Sequence, residues 1–425
     1  MADVRAFRGV RYGEQIARNL GDLIAPPYDV TTPDLIQDLR ARDPHNMVHL
    51  EHVEVEPGHD PHRHAAELYR EWRDDGVLIR DEQPALYLYD HWFRHEGAAV
   101  RRRGVLAAIR LAPWSARIVL PHEETFPRPK LERLRRLRAV QANLSPLYLL
   151  YRDPDQRVAQ LLAAAERSPD ETGVDPDGDR HELTRLADRS LIEQIQRYFA
   201  DQRLYVADGH HRYEAAFEYR DERAAAGFTC PVPSPDLEGA EQYVLALVCA
   251  ADDPGVFVLP THRLVRGIAD FDPEKARADL RRYFELELAA DSSFEDSDAI
   301  CLIWFGSGQG LWKLSPRADR AHEALMPEGK SDAWRKLDLA MLSSAVLDGV
   351  LGIRPEDALD HVSYTSSIDQ AMHSVGTGEA QMALLVEAST VHDLMTIADA
   401  GDRMPPKSTF FWPKVPAGLV IHDLC

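Results

Sequence analysis

The sequence predicts a mixed α/β chain of the α+β kind. Apolar runs of strand length, such as Leu147 to Tyr151, recur between stretches with helical spacing. Gly and Pro punctuate them without a fixed period, so neither a repeat array nor an all-helical bundle fits. At 425 residues, with 44% hydrophobic and 28% charged side chains, the chain has room for two or three domains and ample core.

In chain order, the double proline of Ala25-Pro26-Pro27-Tyr28-Asp29-Val30 forbids helix, and Thr32-Pro33-Asp34 opens one that runs to about Arg42. Residues 64–76 read as a helix closed by Gly76. Residues 85–93 and 103–111 read as strands joined by a charged loop, and 116–120 as a third. An Arg-rich helix over 130–142, a strand over 147–151 and a helix over 156–167 follow. The Asp/Gly/Pro-rich stretch 168–179 reads as a loop and 185–200 as helix. A strand over 204–207 feeds a long helix ending near Gly227. Beyond Pro235, strands at 243–249, 299–305 and 382–386 alternate with helices at 273–284, 332–346 and 389–400.

Charge narrows the partners. Lys+Arg of 49 against Asp+Glu of 70 gives a net charge of −21. Nucleic acid and anionic membranes are bound by basic surfaces, so neither is expected as the main partner; a small anionic ligand needs only a local positive site. No apolar run approaches the roughly 18–20 residues of a spanning helix, and Met1-Ala2-Asp3-Val4-Arg5 has no apolar signal core. Cys230, Cys249, Cys301 and Cys425 form no CxxC pair, which argues against a disulfide scaffold or an all-cysteine zinc site. The expectation is a reduced, cytoplasmic protein.

Asp208-Gly209-His210-His211-Arg212 lies between the strand and the long helix. A helix start offers free N–H groups and a positive dipole end, Arg212 a planar fork, and Asp208 a cap. The segment suits a phosphorylated ligand; it is equally what a well-capped helix with incidental histidines looks like. Pro121-His122-Glu123-Glu124-Thr125 puts carboxylates at a strand end, where one could act as general base, bind Mg²⁺, or simply face solvent. A site built from His122 with His210 or His211 is a further option, without an HExxH motif.

Pro406-Lys407-Ser408-Thr409 offers one positive charge and two hydroxyls on a stiff backbone, without the glycines of a Walker A loop; it suits a phosphate or a carboxylate, with an exposed turn as the default reading. Thr261-His262-Arg263 reads as a turn, with a ligand role as the secondary option. Arg133, Arg135, Arg136 and Arg138 read as a solvated face in preference to a phosphate or nucleic-acid patch, with Leu131, Leu134 and Leu137 turned to the core.

Taken in order, Phe7-Arg8-Gly9, Ala25 to Val30, Pro121-His122-Glu123, Ala142 to Pro146, Ala207 to Tyr213, Leu259 to Arg263 and Met404 to Thr409 resemble the domain-of-unknown-function family 1015 (DUF1015) over nearly the whole chain. That family is in turn similar to the ParB/sulfiredoxin-like superfamily, and its best functional analogue is the archaeal free-serine kinase. Three kinase motifs are matched: Pro-His-Glu with its Glu as base, Asp-Gly-His-His-Arg, and a C-terminal Pro-Lys-Thr-Thr, read here as Pro-Lys-Ser-Thr. The long N-terminal portion and the long spacer from Glu123 to Asp208 depart from the kinase. Sulfiredoxin chemistry is disfavoured because His210 stands where its cysteine would be. ParB-type DNA partitioning is disfavoured by the net charge.

The resemblance implies a ParB/sulfiredoxin-like nucleotide-binding domain over 1–265, elaborated at its N-terminus, and a C-terminal α/β substrate domain over 266–425. It implies a kinase of free L-serine or a similar hydroxyl compound. ATP, ADP, CTP or pyrophosphate would be the donor and Mg²⁺ the cofactor. Glu123, His122 and Asp208 would be catalytic, and Gly209, His210, His211 and Arg212 would hold nucleotide phosphates. Lys407, Ser408, Thr409, His262, Arg263 and Asp29 would bind substrate, and Asp208 with Glu124 would bind metal. All these segments are expected to surround one cleft. The rivals are a nucleotide-binding switch or adaptor and a metal-dependent phosphohydrolase; oligomeric state stays open.

Overall fold

A computed structural model describes residues 1–28, 30–124, 127–227, 239–294 and 298–424. It bears out the mixed α/β expectation. The chain divides into two units. One comprises Met1–Pro121, Thr125–Phe257 and Pro413–Cys425; the other comprises His122–Glu124 and Val258–Trp412. Thus 122–124 packs with the later unit, and the C-terminal thirteen residues return to the earlier one.

The first unit is built on a nine-stranded sheet. Its order runs Val119–Leu120, Leu204–Asp208, Leu147–Tyr151, Tyr243–Ala250, Ala98–Arg110, Leu86–His95, Arg180–Leu186, Glu171–Val174, with Val4–Arg5 paired to Ala98–Arg110. Two pairings are parallel, Leu204–Asp208 on Val119–Leu120 and Tyr243–Ala250 on Leu147–Tyr151; the rest are antiparallel. The central strands are buried on both faces, which is why Leu147–Tyr151 and Tyr243–Ala250 read as continuous apolar runs. The helices Pro127–Val140 and His210–Ala225 pack on this sheet through Leu134, Leu137, Tyr213, Ala216 and Tyr219.

The second unit holds a six-stranded antiparallel sheet in the order Phe284–Leu288, Leu311–Pro316, Cys301–Trp304, Met382–Leu385, His262–Val265, Val362–Thr365. Successive residues feed opposite faces: Val265, Ile303 and Leu384 join one apolar cluster, Leu264, Leu302 and Ala383 the other. Burying each such side chain contributes roughly 1.5–3 kcal/mol, against about 0–1 kcal/mol for an exposed ion pair, so these clusters hold the sheet.

Several elements depart from expectation. Leu86–His95 and Ala98–Arg110 are joined by the two residues Glu96 and Gly97, both at positive φ, a tight hairpin turn in place of a charged loop. Residues 168–179 are not all loop. Glu171–Val174 pairs with Arg180–Leu186, and helix begins only at Arg189, capped by Asp188. Phe284–Leu288 and Leu311–Pro316 are further strands that the sequence reading passed over. The stretch 332–346 is broken into Asp332–Arg335 and Asp338–Met341, followed by a π-helical segment, Leu342–Val350. Leu131 is exposed, whereas Leu134 and Leu137 are buried. Cys249 and Cys301 are buried free thiols; Cys230 and Cys425 lie outside the described residues. Among the described residues no helix is long and apolar enough to cross a membrane.

Candidate functional site

In the second unit, residue 123 forms a parallel bridge with Met404, through Met404 N–H to the His122 carbonyl and Glu124 N–H to the Met404 carbonyl. This pairing lays His122-Glu123 beside Pro406-Lys407-Ser408-Thr409, more than 280 residues later. The Lys407 N–H donates to Glu123 Oε1 at 2.7 Å, and the Thr409 hydroxyl lies 3.4 Å from Glu123 Oε2. His122 is fully buried, and its Nε2 is 2.8 Å from the same hydroxyl. One hydroxyl thus joins an imidazole to a carboxylate, and its single proton can serve either.

Lys407 has φ +60°, a left-handed conformation uncommon for a residue with a Cβ. The surroundings hold it there. Its N–H is bound to Glu123, and its carbonyl accepts from Thr261 Oγ1 at 2.9 Å and from Arg263 Nη2 at 3.3 Å. Such strain, of order 1–3 kcal/mol, persists where neighbours over-determine it. The Lys407 side chain is exposed.

His262 and Arg263 belong to the central strand His262–Val265, so the turn reading is corrected: ladder bonds to strands on both sides recruit them. His262 accepts the Val386 N–H on Nδ1 at 3.1 Å. Burial, with Arg263 next to it, pushes its pKa down to about 4. Arg263 is 3% exposed, with no carboxylate within 4 Å among the described residues. Burial lowers its pKa, while Tyr364 and Glu123 act the other way. Its Nη1 donates to Thr261, and its guanidinium lies 5.7 Å from the Tyr364 ring centre. Ser408 is turned inward: it is 2% exposed, and its hydroxyl donates to the Pro405 carbonyl at 2.6 Å, closing a turn.

In the first unit, the strand Leu204–Asp208 ends on Asp208, and the helix His210–Ala225 starts behind Gly209. Gly209 is the N-cap, at φ +98°, and no side chain caps the helix. The expected Asp208 cap is therefore corrected. Its carboxylate instead joins two cations, Oδ2 to Arg212 Nη2 at 2.5 Å and Oδ1 to Lys414 Nζ at 2.7 Å. Burial would raise the Asp208 pKa; Lys414 and Arg212 outweigh it and hold the carboxyl well below the usual range. The φ of Gly209 favours glycine, and a Cβ there would sit 2.8 Å from Leu147 Cδ2 and 3.0 Å from Arg212 Nε, side-chain atoms that would have to shift. Arg212 also donates to the Pro146 carbonyl at 2.5 Å. His210 is buried and His211 half-buried.

Mg²⁺ takes oxygen ligands, commonly one or two carboxylates together with substrate phosphates. Asp208 does not fit that role: each of its oxygens already carries a cation. Glu124 is exposed, and no group of three or more His, Cys, Asp or Glu side chains arranged for a metal occurs among the described residues. Asp29 lies outside the described residues.

A family model described as "Protein of unknown function (DUF1015)" matches residues 4–341. The chain belongs to the DUF1015 family. No curated protein sequence matches it significantly. Among solved structures, this DUF1015 chain is similar to a conserved hypothetical protein from Pyrococcus furiosus, with 13% identity and TM-score 0.35 over 74% of this chain and 93% of that one. It is similar to a free serine kinase in complex with AMP, with 12% identity and TM-score 0.37 over 72% and 86%. It is also similar to a C-terminally truncated SbnI from Staphylococcus aureus, with 12% identity and TM-score 0.35 over 73% and 87%.

In this DUF1015 chain, one group escaped the sequence reading and another was read only as part of a turn. Lys414 binds Asp208, and Thr261 holds the Lys407 carbonyl. Lys414 did carry a signal: the chain has seven lysines, and two of them, Lys407 and Lys414, fall seven residues apart among prolines. Thr261 was singled out with His262 and Arg263, but nothing local showed that its partner is a backbone atom 146 residues away.

Proposed function

We propose that this chain is a phosphotransferase acting on the hydroxyl of a small molecule, free L-serine or a similar amino acid, with a nucleotide as donor. The observation that carries the reading is the pairing of Glu123 with the Lys407 amide and the Thr409 hydroxyl. Two segments matched to separate kinase motifs are hydrogen-bonded to each other across 284 residues. Glu123 would accept the acceptor's hydroxyl proton as its oxygen attacks phosphorus. The new O–P bond forms while the bridging P–O bond breaks, and the nucleotide leaves one phosphate shorter. Lys407 and the buried Arg263 would hold the acceptor's carboxylate or a phosphate. Gly209, His210, His211 and Arg212 would hold the donor phosphates. Phosphoryl transfer depends on such positioning and charge neutralisation more than on covalent chemistry. The domain roles, nucleotide binding over 1–265 and substrate binding over 266–425, belong to the same proposal.

A nucleotide-binding switch is the second reading. It is favoured by the Arg212–Asp208 pair, because an arriving phosphate would compete with Asp208 for one guanidinium. Purified protein incubated with serine and with ATP, ADP, CTP or pyrophosphate in turn, followed by phosphorus NMR, separates the two. A phosphotransferase makes phosphoserine from at least one donor. Nucleotide binding without any phosphorylated acceptor leaves the switch.

A further inference from the structure

The helix Pro127–Val140 was expected to turn its arginines to solvent. Arg135 and Arg138 do so, the latter pairing with Glu222, but Arg133 and Arg136 point inward. With Arg212 they line a cavity of about 50 Å³ whose wall also includes Glu51, Asn143 and Ser145. That volume suits a few water molecules or one small oxyanion.

The wall is rich in donors. Arg133 and Arg212 have side chains 11% and 10% exposed, and the Nε of each is buried without a hydrogen-bond partner. Asn143 accepts the Leu245 N–H on Oδ1 at 3.0 Å, so its other end is the NH₂ donor. Arg136 donates to the Leu50 carbonyl and to His62 Nδ1 at 3.2 Å, with no carboxylate within 4 Å among the described residues. Glu51 on the wall is bound to Arg133 at 3.1 Å and Asp208 behind it to Arg212 at 2.5 Å, so Arg136 is the guanidinium of the three with no carboxylate of its own. Burial would raise the Glu51 pKa, but Arg133 and Arg136 keep it below the usual range. Buried cations are costly unless paired. Three guanidiniums with two carboxylates around a small cavity, in a chain of net charge −21, leave one positive charge that an anion would complete.

We propose that this cavity binds a tetrahedral oxyanion of phosphate size, held by Arg133, Arg136 and Arg212 with Asn143 and Ser145 donating. Occupancy would draw on the guanidinium that Asp208 also uses, and so would couple the cavity to the Asp208–Arg212 segment. The proposal does not depend on phosphoryl-transfer chemistry; only the AMP comparison in its test rests on the proposed nucleotide site.

The test uses the full chain and inorganic phosphate, titrated by calorimetry and by melting temperature at constant ionic strength. Wild type shows saturable, single-site binding. Arg133→Gln and Arg136→Gln each weaken it by roughly tenfold or more, the scale of a lost charged hydrogen bond, while AMP affinity is unchanged in Arg136→Gln. The exposed Arg135→Gln, with the same loss of charge, leaves phosphate affinity unchanged. If the inward variants fail to fold, Glu51→Gln decides. Removing the negative charge on the wall tightens phosphate roughly tenfold, whereas a purely structural ion network loses stability without any gain in affinity. The proposal is overturned if wild type shows no saturable binding or if Arg135→Gln loses as much as its neighbours. It also fails if acetate binds as tightly as phosphate, or if AMP and phosphate weaken together in Arg136→Gln.

Discussion

Asp208 and Glu123 are both carboxylates delivered by a motif, and both meet a segment beyond residue 400, yet the partners they meet there differ: a lysine ammonium for Asp208, a backbone amide and a hydroxyl for Glu123. Asp208 is saturated by charge, with Lys414 on one oxygen and Arg212 on the other. Glu123 accepts from the Lys407 backbone amide, and its other oxygen lies 3.4 Å from the Thr409 hydroxyl. A carboxylate locked between two cations is a structural anchor that releases its charge only at acid pH. On the function proposed above, Asp208 would serve stability and Glu123 chemistry.

The largest effect on stability is expected at Asp208. Asp208→Asn leaves Lys414 and Arg212 without their counter-ion and should cost about 3–5 kcal/mol in urea unfolding. Glu123→Gln, which keeps an acceptor for the Lys407 amide, should cost within about 1 kcal/mol. Equal losses would erase the distinction. The pH profile sharpens it. The folded pKa of Asp208 is depressed, so its contribution is present above the unfolded value of about 3.9 and fades as pH falls through it. Acid titration of wild type against Asp208→Asn should show the gap closing as pH drops below about 4.

Gly209→Ala comes next. The φ of +98° and the approach to Leu147 and Arg212 predict a loss of about 1–3 kcal/mol. AMP affinity should fall with it if Arg212 is displaced, and an unchanged melting temperature would show that the turn is not strained.

Asp179 tests the opposite sign. Burial, then Asp175 and Asp177, push its pKa up to about 6 beside His91. For this raised acid the folded state favours the protonated form, so stability is present below the unfolded value and is lost as pH rises through about 6. Asp179→Asn should therefore stabilise by about 1–2 kcal/mol at pH 7.5, after allowance for screening, and not at pH 4. A stabilisation that is the same at both pH values would contradict the assignment. Ser408→Ala is the smallest change: about 1 kcal/mol from the lost bond to the Pro405 carbonyl, with turnover unaffected. A large loss of turnover would return Ser408 to the substrate-binding set.

Much of the fold was legible because its signals are local. Thr32-Pro33 does open a helix, and the apolar run at Leu147–Tyr151 is a strand buried on both faces. The motif residues were legible as residue types. What they touch was not, because the partners lie far along the chain. Nothing near Asp208 announces Lys414, and nothing near Lys407 announces Thr261. His262-Arg263 looked like a turn because polar residues rarely sit in a central strand; the Val386 amide and the Lys407 carbonyl make that burial tolerable. Arg133 and Arg136 looked solvated because Leu134 and Leu137 already marked a buried face. The helix is covered on a second side by Glu51 and Leu50, which no periodicity reveals.

The most direct measurement is phosphoserine formation by Glu123→Gln and wild type, with the affinity for the same nucleotide determined in parallel by calorimetry. The account expects turnover to fall by roughly 10²–10⁴, the scale of a general base, while nucleotide affinity stays within about threefold, well under 1 kcal/mol. A variant that turns over like wild type, or one that loses binding and rate together, would contradict it.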